Sequence, residues 1–235
     1  MQKIDKYFVV DFDRCIGNID ASFKILSDVA HGLSIVDKQL FMSMRSEAES
    51  EGKPFSALEY LKENYPSVDS NKIKNMYLKQ AQVQPNNLLE PGAKEFLDYF
   101  YSTNQNFCIM SFGDKRWQST KIIGAGITNV TVKIVPNRIK SNYIRKWLDS
   151  KSGKFVIPKE YFLDNKAKEA SEVVLIDDKV MAFNDLPKGA RGYIILGSSS
   201  LQTKQQIHGL SSKVKQTMRI NEIINEEFSK KELSK

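Results

Sequence analysis

Short apolar runs that alternate with helical patterns constrain the fold of this chain more than any other feature of its sequence. Each run is rich in β-branched or aromatic residues and is followed by a polar residue, a glycine or a proline, which is typical of a strand buried in a parallel sheet. The runs lie at 7–10, 106–110, 173–176 and 192–196, with a weaker one at 130–135. Helical patterns at 93–101 and 141–148 lie between them, so the sequence predicts a Rossmann-like α/β core with three layers, α/β/α, around a mainly parallel sheet.

One long segment breaks this alternation. Residues 19–83 show only helical periodicity, and the turn residues around Pro91 and Gly92 mark the return to the core pattern. The sequence therefore predicts an all-helical subdomain at 19–86, inserted into a core made of residues 1–18 and 87–235. After residue 198 the apolar spacing of Val214, Met218 and Phe228 predicts a closing helix, followed by a basic end.

Cysteine content and hydropathy limit the classes of protein to consider. The 235 residues include two cysteines and two histidines, too few for a disulfide framework or a four-ligand structural zinc site. No stretch approaches the ~18 apolar residues of a membrane span, and the first residues do not resemble a signal peptide. We expect a protein of the cytoplasm with no membrane partner.

The net charge of +7 is compatible with a phosphorylated ligand. The lysines of the chain are spread along its whole length. A typical nucleic-acid binder has a basic stripe interleaved with aromatic residues, and this sequence shows no such stripe. Nucleic acid is therefore the less favoured partner, and a small molecule the more favoured one.

Four aspartates follow two of the predicted strands. Asp11 and Asp13 come directly after the run 7–10, and residues two apart in an extended chain point to the same side. Asp177 and Asp178 come directly after the run 173–176. Parallel strands present their carboxyl ends, where ligands bind, at one edge of the sheet. Carboxylates that converge there repel one another unless a cation neutralises them, and hard oxygen ligands suit magnesium.

Two further polar groups follow the same pattern. Ser111 ends the run that begins at 106, and the turn at Gly113 can expose backbone N–H groups to an anion. Lys140 lies just before the helical pattern at 141–148. The order along the chain is thus Asp-x-Asp, Ser, Lys and Asp-Asp, each at or just beyond the end of a predicted strand.

This order resembles the four motifs of the haloacid dehalogenase (HAD) superfamily of hydrolases. Its members carry an apolar strand with Asp-x-Asp, a strand that ends in Ser or Thr, a Lys, and a strand that ends in Asp-Asp. The helical insertion resembles the mobile helical cap of that superfamily, of the C1 type, and the segment PGAKEFLDYF resembles its Pro-Gly helix start. The resemblance covers nearly the whole chain and leaves the substrate open.

The resemblance implies a magnesium-dependent phosphomonoesterase that acts on a small phosphorylated metabolite through an aspartyl phosphate. Asp11 would be the nucleophile and Asp13 the general acid and base, while Ser111, Gly113 and Lys140 would bind the phosphate. The implied metal ligands are Asp11, Asp13, Asp177 and Asp178, and which residue of the last pair binds the metal directly stays open. A halide leaving group needs no proton, so Asp13 favours phosphate esters over haloalkanoates.

Two other classes remain as alternatives. A phosphoacceptor receiver domain also gathers aspartates, a hydroxyl and a lysine, but it has its acidic pair first and lacks a long helical insertion. The other is a catalytically weak or inactive HAD-fold binding protein, with nucleic acid as one candidate ligand. The sequence departs from the superfamily pattern at Cys15, where many members have Thr, and at Ala182 and Phe183, where many have an acidic residue.

Overall fold

The fold is known from a computed structural model, which describes residues 1–33, 38–51, 53, 55–67, 69–197 and 211–232. Seven strands form one sheet, and eight α-helices lie in the described part of the chain. The strands are β1 (Gln2–Val10), β2 (Phe107–Phe112), β3 (Thr131–Val135), β4 (Phe155–Ile157), β5 (Lys168–Asp177), β6 (Ala190–Ile195) and β7 (Val214–Thr217). The helices are α1 (Ile19–Gly32), α2 (Lys38–Ser50), α3 (Ala57–Asn64), α4 (Ser70–Ala81), α5 (Ala93–Ser102), α6 (Lys115–Gly124), α7 (Ser141–Trp147) and α8 (Glu222–Glu232).

The sheet has the order β3-β2-β1-β5-β6-β7. Strand β1 pairs in parallel with β2 and β5, and β5–β6 and β6–β7 are also parallel. All four residues at 7–10 are fully buried, as a central strand covered on both faces requires. The predicted α/β class with a mainly parallel sheet is confirmed.

Two strands differ from the sequence prediction. Strand β4 pairs antiparallel with the start of β5 and is three residues long, which is too short to give a pattern. Residues 214–217, predicted as part of the closing helix, form the edge strand β7, and that prediction is wrong. An edge strand has one paired neighbour and an exposed side, so its sequence, Val-Lys-Gln-Thr, lacks the apolar run of a central strand. Helix α8 begins at Glu222, and residues 198–210 lie outside the described residues.

The chain divides into two compact units. The first consists of residues 1–16, 90–111 and 129–235 and holds nearly the whole sheet. Its core fills the sheet with apolar side chains such as Val9, Met110 and Leu175, and Trp147 of α7 packs edge-on to Tyr7.

The second unit consists of residues 17–89 and 112–128, so it groups helices α1–α4 with α6. Trp117 of α6 lies 5.7 Å from the Phe23 ring and 5.1 Å from the Tyr77 ring, measured between ring centroids. Gly124 lets α6 approach α4 closely, because a Cβ there would lie 3.1 Å from Ala81 and Tyr77. Aromatic packing thus joins α6 to the inserted helices. Among the described helices, none has the length and apolar character needed to cross a membrane.

Candidate active site

Asp11 and Asp177 lie side by side at the carboxyl edge of the sheet. Val10 of β1 is paired with Ile176 of β5, and the backbone N–H of Asp11 donates to the Ile176 carbonyl at 2.8 Å. Both side chains lie just beyond the last apolar residue of a central strand, yet both are buried. The strand register therefore brings together two of the carboxylates that the sequence predicts at this edge.

Lys140 links these two carboxylates. Its side chain is 2% exposed, and its ammonium group donates to Asp11 Oδ1 and, at 2.6 Å, to Asp177 Oδ2. Lys140 directly precedes α7, and the Ser141 hydroxyl donates to the Asn184 carbonyl in the loop after β5. This bond fastens the start of α7 to the segment that follows Asp177 and Asp178, and so positions Lys140.

Asp177 and Asp178 have different partners. Asp177 Oδ1 accepts a hydrogen bond of 2.8 Å from the Lys179 backbone N–H, and Oδ2 accepts from Lys140, so both oxygens of Asp177 are engaged. The Asp178 carboxylate is also buried, and the Lys179 ammonium lies 2.9 Å from its Oδ2 as an ion pair, without the alignment of a hydrogen bond. Asp177 thus holds the lysine, whereas Asp178 faces a different set of neighbours.

Cys15 is one of those neighbours. The chain turns sharply after Phe12, whose carbonyl accepts from the backbone N–H of Cys15 at 3.3 Å and of Ile16 at 2.9 Å. Arg14 takes a left-handed conformation, with φ of 64°, within this turn. The Cys15 thiol is buried, and its Sγ, an Asp11 oxygen and an Asp178 oxygen all lie within 4.8 Å of one another.

Burial dominates the electrostatics of this cluster. It raises the pKa of the Asp11 carboxyl; Lys140 opposes the rise, and Asp177 and Asp178 add to it. Burial likewise raises the pKa of Asp178 against the opposing Lys179, and it raises the pKa of the Cys15 thiol, so the thiol is protonated at neutral pH. Burial lowers the pKa of Lys140, but the attraction of Asp11 and Asp177 outweighs it and leaves that pKa raised. Extra positive charge would therefore be stabilised here.

Ser111 and Gly113, the predicted phosphate-binding residues after the second motif strand, lie in different units. The Ser111 side chain is 1% exposed, and its hydroxyl has no hydrogen-bond partner among the residues that the structure describes. A buried hydroxyl without a partner is costly, so an acceptor such as a phosphate oxygen would stabilise it. Gly113 has a φ of 143°, and a Cβ there would lie 2.7 Å from Gln118 Nε2. This position therefore requires glycine.

Two other acidic residues lie near the motifs. Asp13 is half-buried and belongs to the same unit as Asp11, two residues further along the chain. Asp185, the acidic residue nearest to the position where many superfamily members carry one, is 91% exposed, and its carboxylate lies 3.8 Å from Arg145. Asp185 therefore pairs with a surface arginine.

Sequence reasoning missed two residues of the cluster. From the sequence, Cys15 stands only where many superfamily members have a turn-forming Thr, and Lys179 belongs to none of the four motifs. The signal that could have identified Cys15 is its position just after the Asp-x-Asp motif, since a tight turn there reverses the chain towards Asp11. Lys179 directly follows the Asp-Asp pair, but whether it faces an aspartate depends on the turn after β5.

The donor atoms of this cluster fit a hard divalent cation. Asp11 and Asp178 offer carboxylate oxygens within 4.8 Å of each other, and both belong to buried side chains whose charge is only partly neutralised. Magnesium prefers carboxylate oxygen ligands and keeps several waters, so two protein carboxylates are sufficient for it.

Comparison with known proteins identifies the fold. No family model and no curated protein matches the sequence. A haloacid dehalogenase-like hydrolase of Burkholderia xenovorans LB400 superimposes with a TM-score of 0.63 at 15% identity, covering 96% of this chain and 97% of that one.

Two further solved structures match over nearly their full length. A β-phosphoglucomutase-like protein of Thermotoga maritima gives a TM-score of 0.51 at 16% identity, with 97% of this chain and 99% of that one covered. The HAD-hydrolase YfnB of Bacillus subtilis, solved with bound magnesium, gives 0.50 at 14% identity, with 95% and 98% covered. The order of the four motifs and these superpositions agree: the chain has the fold of the HAD-like hydrolases.

Proposed function

We propose that this chain is a magnesium-dependent phosphomonoesterase that hydrolyses a small phosphorylated metabolite through an aspartyl-phosphate intermediate. The observation that carries the proposal is the buried ion pair between Asp11 and Lys140, beside Asp178 at the carboxyl edge of the sheet. A buried carboxylate held by an ammonium group and adjacent to a second carboxylate suits the transfer of a phosphoryl group, which depends on positioning and charge neutralisation.

Asp11 and Asp178 would hold the magnesium ion through their carboxylates, together with the backbone carbonyl of Asp13. We assign Asp177 to a different role, because both of its oxygens already accept hydrogen bonds and one of these comes from Lys140. Asp177 is thus a positioning residue for Lys140. The metal, when bound, would neutralise charge between the Asp11 carboxylate and the phosphate.

The substrate phosphate would be held by the chain's own polar groups. The buried Ser111 hydroxyl can donate to one phosphate oxygen, and the Lys140 ammonium, which now lies between two carboxylates, can donate to another. Both groups are fixed by the surrounding core and need little reorganisation in the transition state. The contribution of the Gly113 backbone N–H stays a prediction from the sequence.

The reaction would take place in two steps. In the first, an Asp11 carboxylate oxygen forms a bond to phosphorus, the ester P–O bond breaks, and Asp13 donates a proton to the departing alkoxide. In the second, water attacks phosphorus while Asp13 accepts its proton, and the bond between phosphorus and Asp11 breaks to release inorganic phosphate. Asp13 thereby returns to its protonated state, and Asp11 to a free carboxylate.

We further propose that the helical unit is the substrate-selecting cap. Its helices carry an aromatic core of their own, built around Phe23, Phe41 and Trp117, so the unit can remain folded as a whole. A unit of this kind can supply contacts to the part of the ester remote from the phosphate, and such contacts distinguish one substrate from another. The two free, buried cysteines suit the cytoplasm as the place of action.

Hydrolysis of p-nitrophenyl phosphate and of a panel of sugar, nucleotide and cofactor phosphates tests the proposal. We expect turnover with Mg²⁺ and none after chelation with EDTA. Asp11→Asn should abolish turnover and phosphoenzyme formation. Asp185→Asn removes an equal charge from an exposed carboxylate outside the site, so it should retain activity. A rate independent of metal, or no turnover across the panel, would contradict the proposal.

A further inference from the structure

We infer that Cys15 is a direct metal ligand, so that the carboxylate site also binds thiophilic divalent cations of the zinc class through its sulfur. This inference rests on the proposed function for its biological consequence: a zinc-class ion at Asp11, Cys15 and Asp178 would exclude magnesium and stop phosphate hydrolysis. Its evidence is the geometry of these three side chains.

The distances suit a common ion. Zinc lies about 2.3 Å from a thiolate sulfur and about 2.0–2.2 Å from a carboxylate oxygen, so two ligands at its tetrahedral angle are about 3.5 Å apart. The Sγ of Cys15 and one oxygen from each of Asp11 and Asp178 all lie within 4.8 Å of one another. Closure by up to about 1.3 Å, which side-chain rotations can supply, would bring all three atoms onto one metal.

The environment of the thiol is a second, independent observation. Cys15 is 1% exposed, and its side chain makes no hydrogen bond to any residue in the described ranges. The turn that begins at Phe12, with the left-handed Arg14, directs the thiol towards two buried carboxylates. A thiol surrounded by apolar side chains contributes only packing. The Cys15 thiol instead faces carboxylate oxygens of Asp11 and Asp178 and would gain a bonding partner when a cation binds.

Ligand softness predicts the selectivity. Magnesium requires hard oxygen donors and gains nothing from sulfur, whereas zinc, cadmium and cobalt bind thiolate well. On binding such an ion, Cys15 would release its thiol proton to solvent and donate a sulfur lone pair to the metal. The substitution at this position, from the Thr of many superfamily members to Cys15, would thus change which metals the site prefers.

Cobalt titration of the purified, metal-free full chain tests the inference directly. Thiolate coordination to Co²⁺ gives near-ultraviolet charge-transfer absorption, which coordination by oxygen alone does not give. We expect this absorption in the unaltered protein and its loss in Cys15→Ser. Cys108→Ser is the matched control, because Cys108 is the chain's other cysteine and is fully buried in strand β2, outside the cluster. It should keep the absorption.

Competition between metals gives a second readout. Equilibrium dialysis with Zn²⁺ and with Mg²⁺ should show the Kd for Zn²⁺ rising at least about tenfold in Cys15→Ser, since loss of an outer-shell partner alone commonly costs that much. The Kd for Mg²⁺ should change much less. If Cys15→Ser does not fold, as judged by circular dichroism, Cys15→Ala replaces it.

The outcomes separate this inference from the proposed function. Cobalt binding without charge-transfer absorption, or absorption that persists without Cys15, overturns the inference and leaves the phosphatase proposal standing. The expected absorption in a protein that hydrolyses no phosphate ester supports the inference and contradicts the proposed function. A chain that binds neither Co²⁺ nor Mg²⁺ overturns both.

Discussion

Glu227 is the residue at which the structure gives the best-defined energetic prediction. It lies on α8, and its carboxylate side chain is 1% exposed against the sheet. It accepts hydrogen bonds from Arg191 and Tyr193 of β6, and the Lys6 ammonium of β1 donates to it at 2.7 Å. We expect Glu227→Gln to weaken the attachment of the C-terminal helix to the sheet, because it removes the charge that these donors share.

The size of the effect follows from the pKa of this carboxyl. Burial by itself would raise that pKa, but the hydrogen bonds from Arg191, Lys6 and Tyr193 lower it from 4.5 to about 2. At about 1.4 kcal/mol per pKa unit, this shift corresponds to ~3 kcal/mol at neutral pH. Arg191 and Lys6 are 27% and 25% exposed, so solvent screens part of the attraction, and we expect a loss of about 2 kcal/mol.

The loss should depend on pH with a definite sign. The folded-state pKa of Glu227 lies below its unfolded value, so its contribution is complete above about pH 5 and is lost as the pH falls towards 2. Urea unfolding at pH 7, 5, 4 and 3 measures this. The fluorescence of Trp147 should report this unfolding, because Trp147 belongs to the unit that holds Glu227. The chain has two tryptophans, so every sample also carries Trp117→Phe, which leaves Trp147 as the source of the signal.

Glu226→Gln is the matched control. Glu226 is the adjacent residue on the same helix, but its side chain is 38% exposed, and its partner Lys215 is 57% exposed. An exposed pair of this kind contributes about 0–1 kcal/mol, so this variant should unfold nearly as the parent does. A loss for Glu227→Gln that stays constant from pH 7 to pH 3, or one no larger than that of Glu226→Gln, would refute the electrostatic reasoning.

Three further changes test the site and the helical unit. Asp13→Asn should slow the hydrolysis of alkyl phosphates about 10²- to 10⁴-fold and that of p-nitrophenyl phosphate far less, because a good leaving group needs little protonation. Equal losses in kcat for both kinds of substrate would contradict the role of Asp13 as the acid. Lys140→Gln should lower the free energy of unfolding by about 3–5 kcal/mol and abolish turnover, because it leaves Asp11 and Asp177 buried without their ammonium partner. A urea unfolding midpoint equal to that of the parent would refute this prediction. Trp117→Ala should cost about 3–5 kcal/mol in the helical unit, whereas the exposed Ile123→Ala on the same helix should cost much less.

The sequence alone determined the features that depend on local patterns. The run 7–10 specified a buried parallel strand because β-branched and aromatic residues without a polar alternation suit burial on both faces. The runs 7–10 and 173–176 also place Asp11 and Asp177 at the ends of strands. Because parallel strands share one carboxyl edge, the sequence predicts that these two carboxylates lie together. The motif order and the long helical insertion followed in the same way, since each is a property of consecutive residues.

The tertiary structure decided which side chains meet. Lys140 is one of 35 lysines and arginines, and its contact with Asp11 spans 129 positions of the chain, which no local pattern encodes. The different roles proposed for Asp177 and Asp178 depend on which of two adjacent side chains faces Lys140. The approach of Cys15 to both carboxylates depends on the turn after Phe12. The packing of α6 with the inserted helices and the pairing of β7 with β6 likewise join segments that are distant in the sequence. Burial of apolar surface and hydrogen bonding stabilise these contacts in the folded chain.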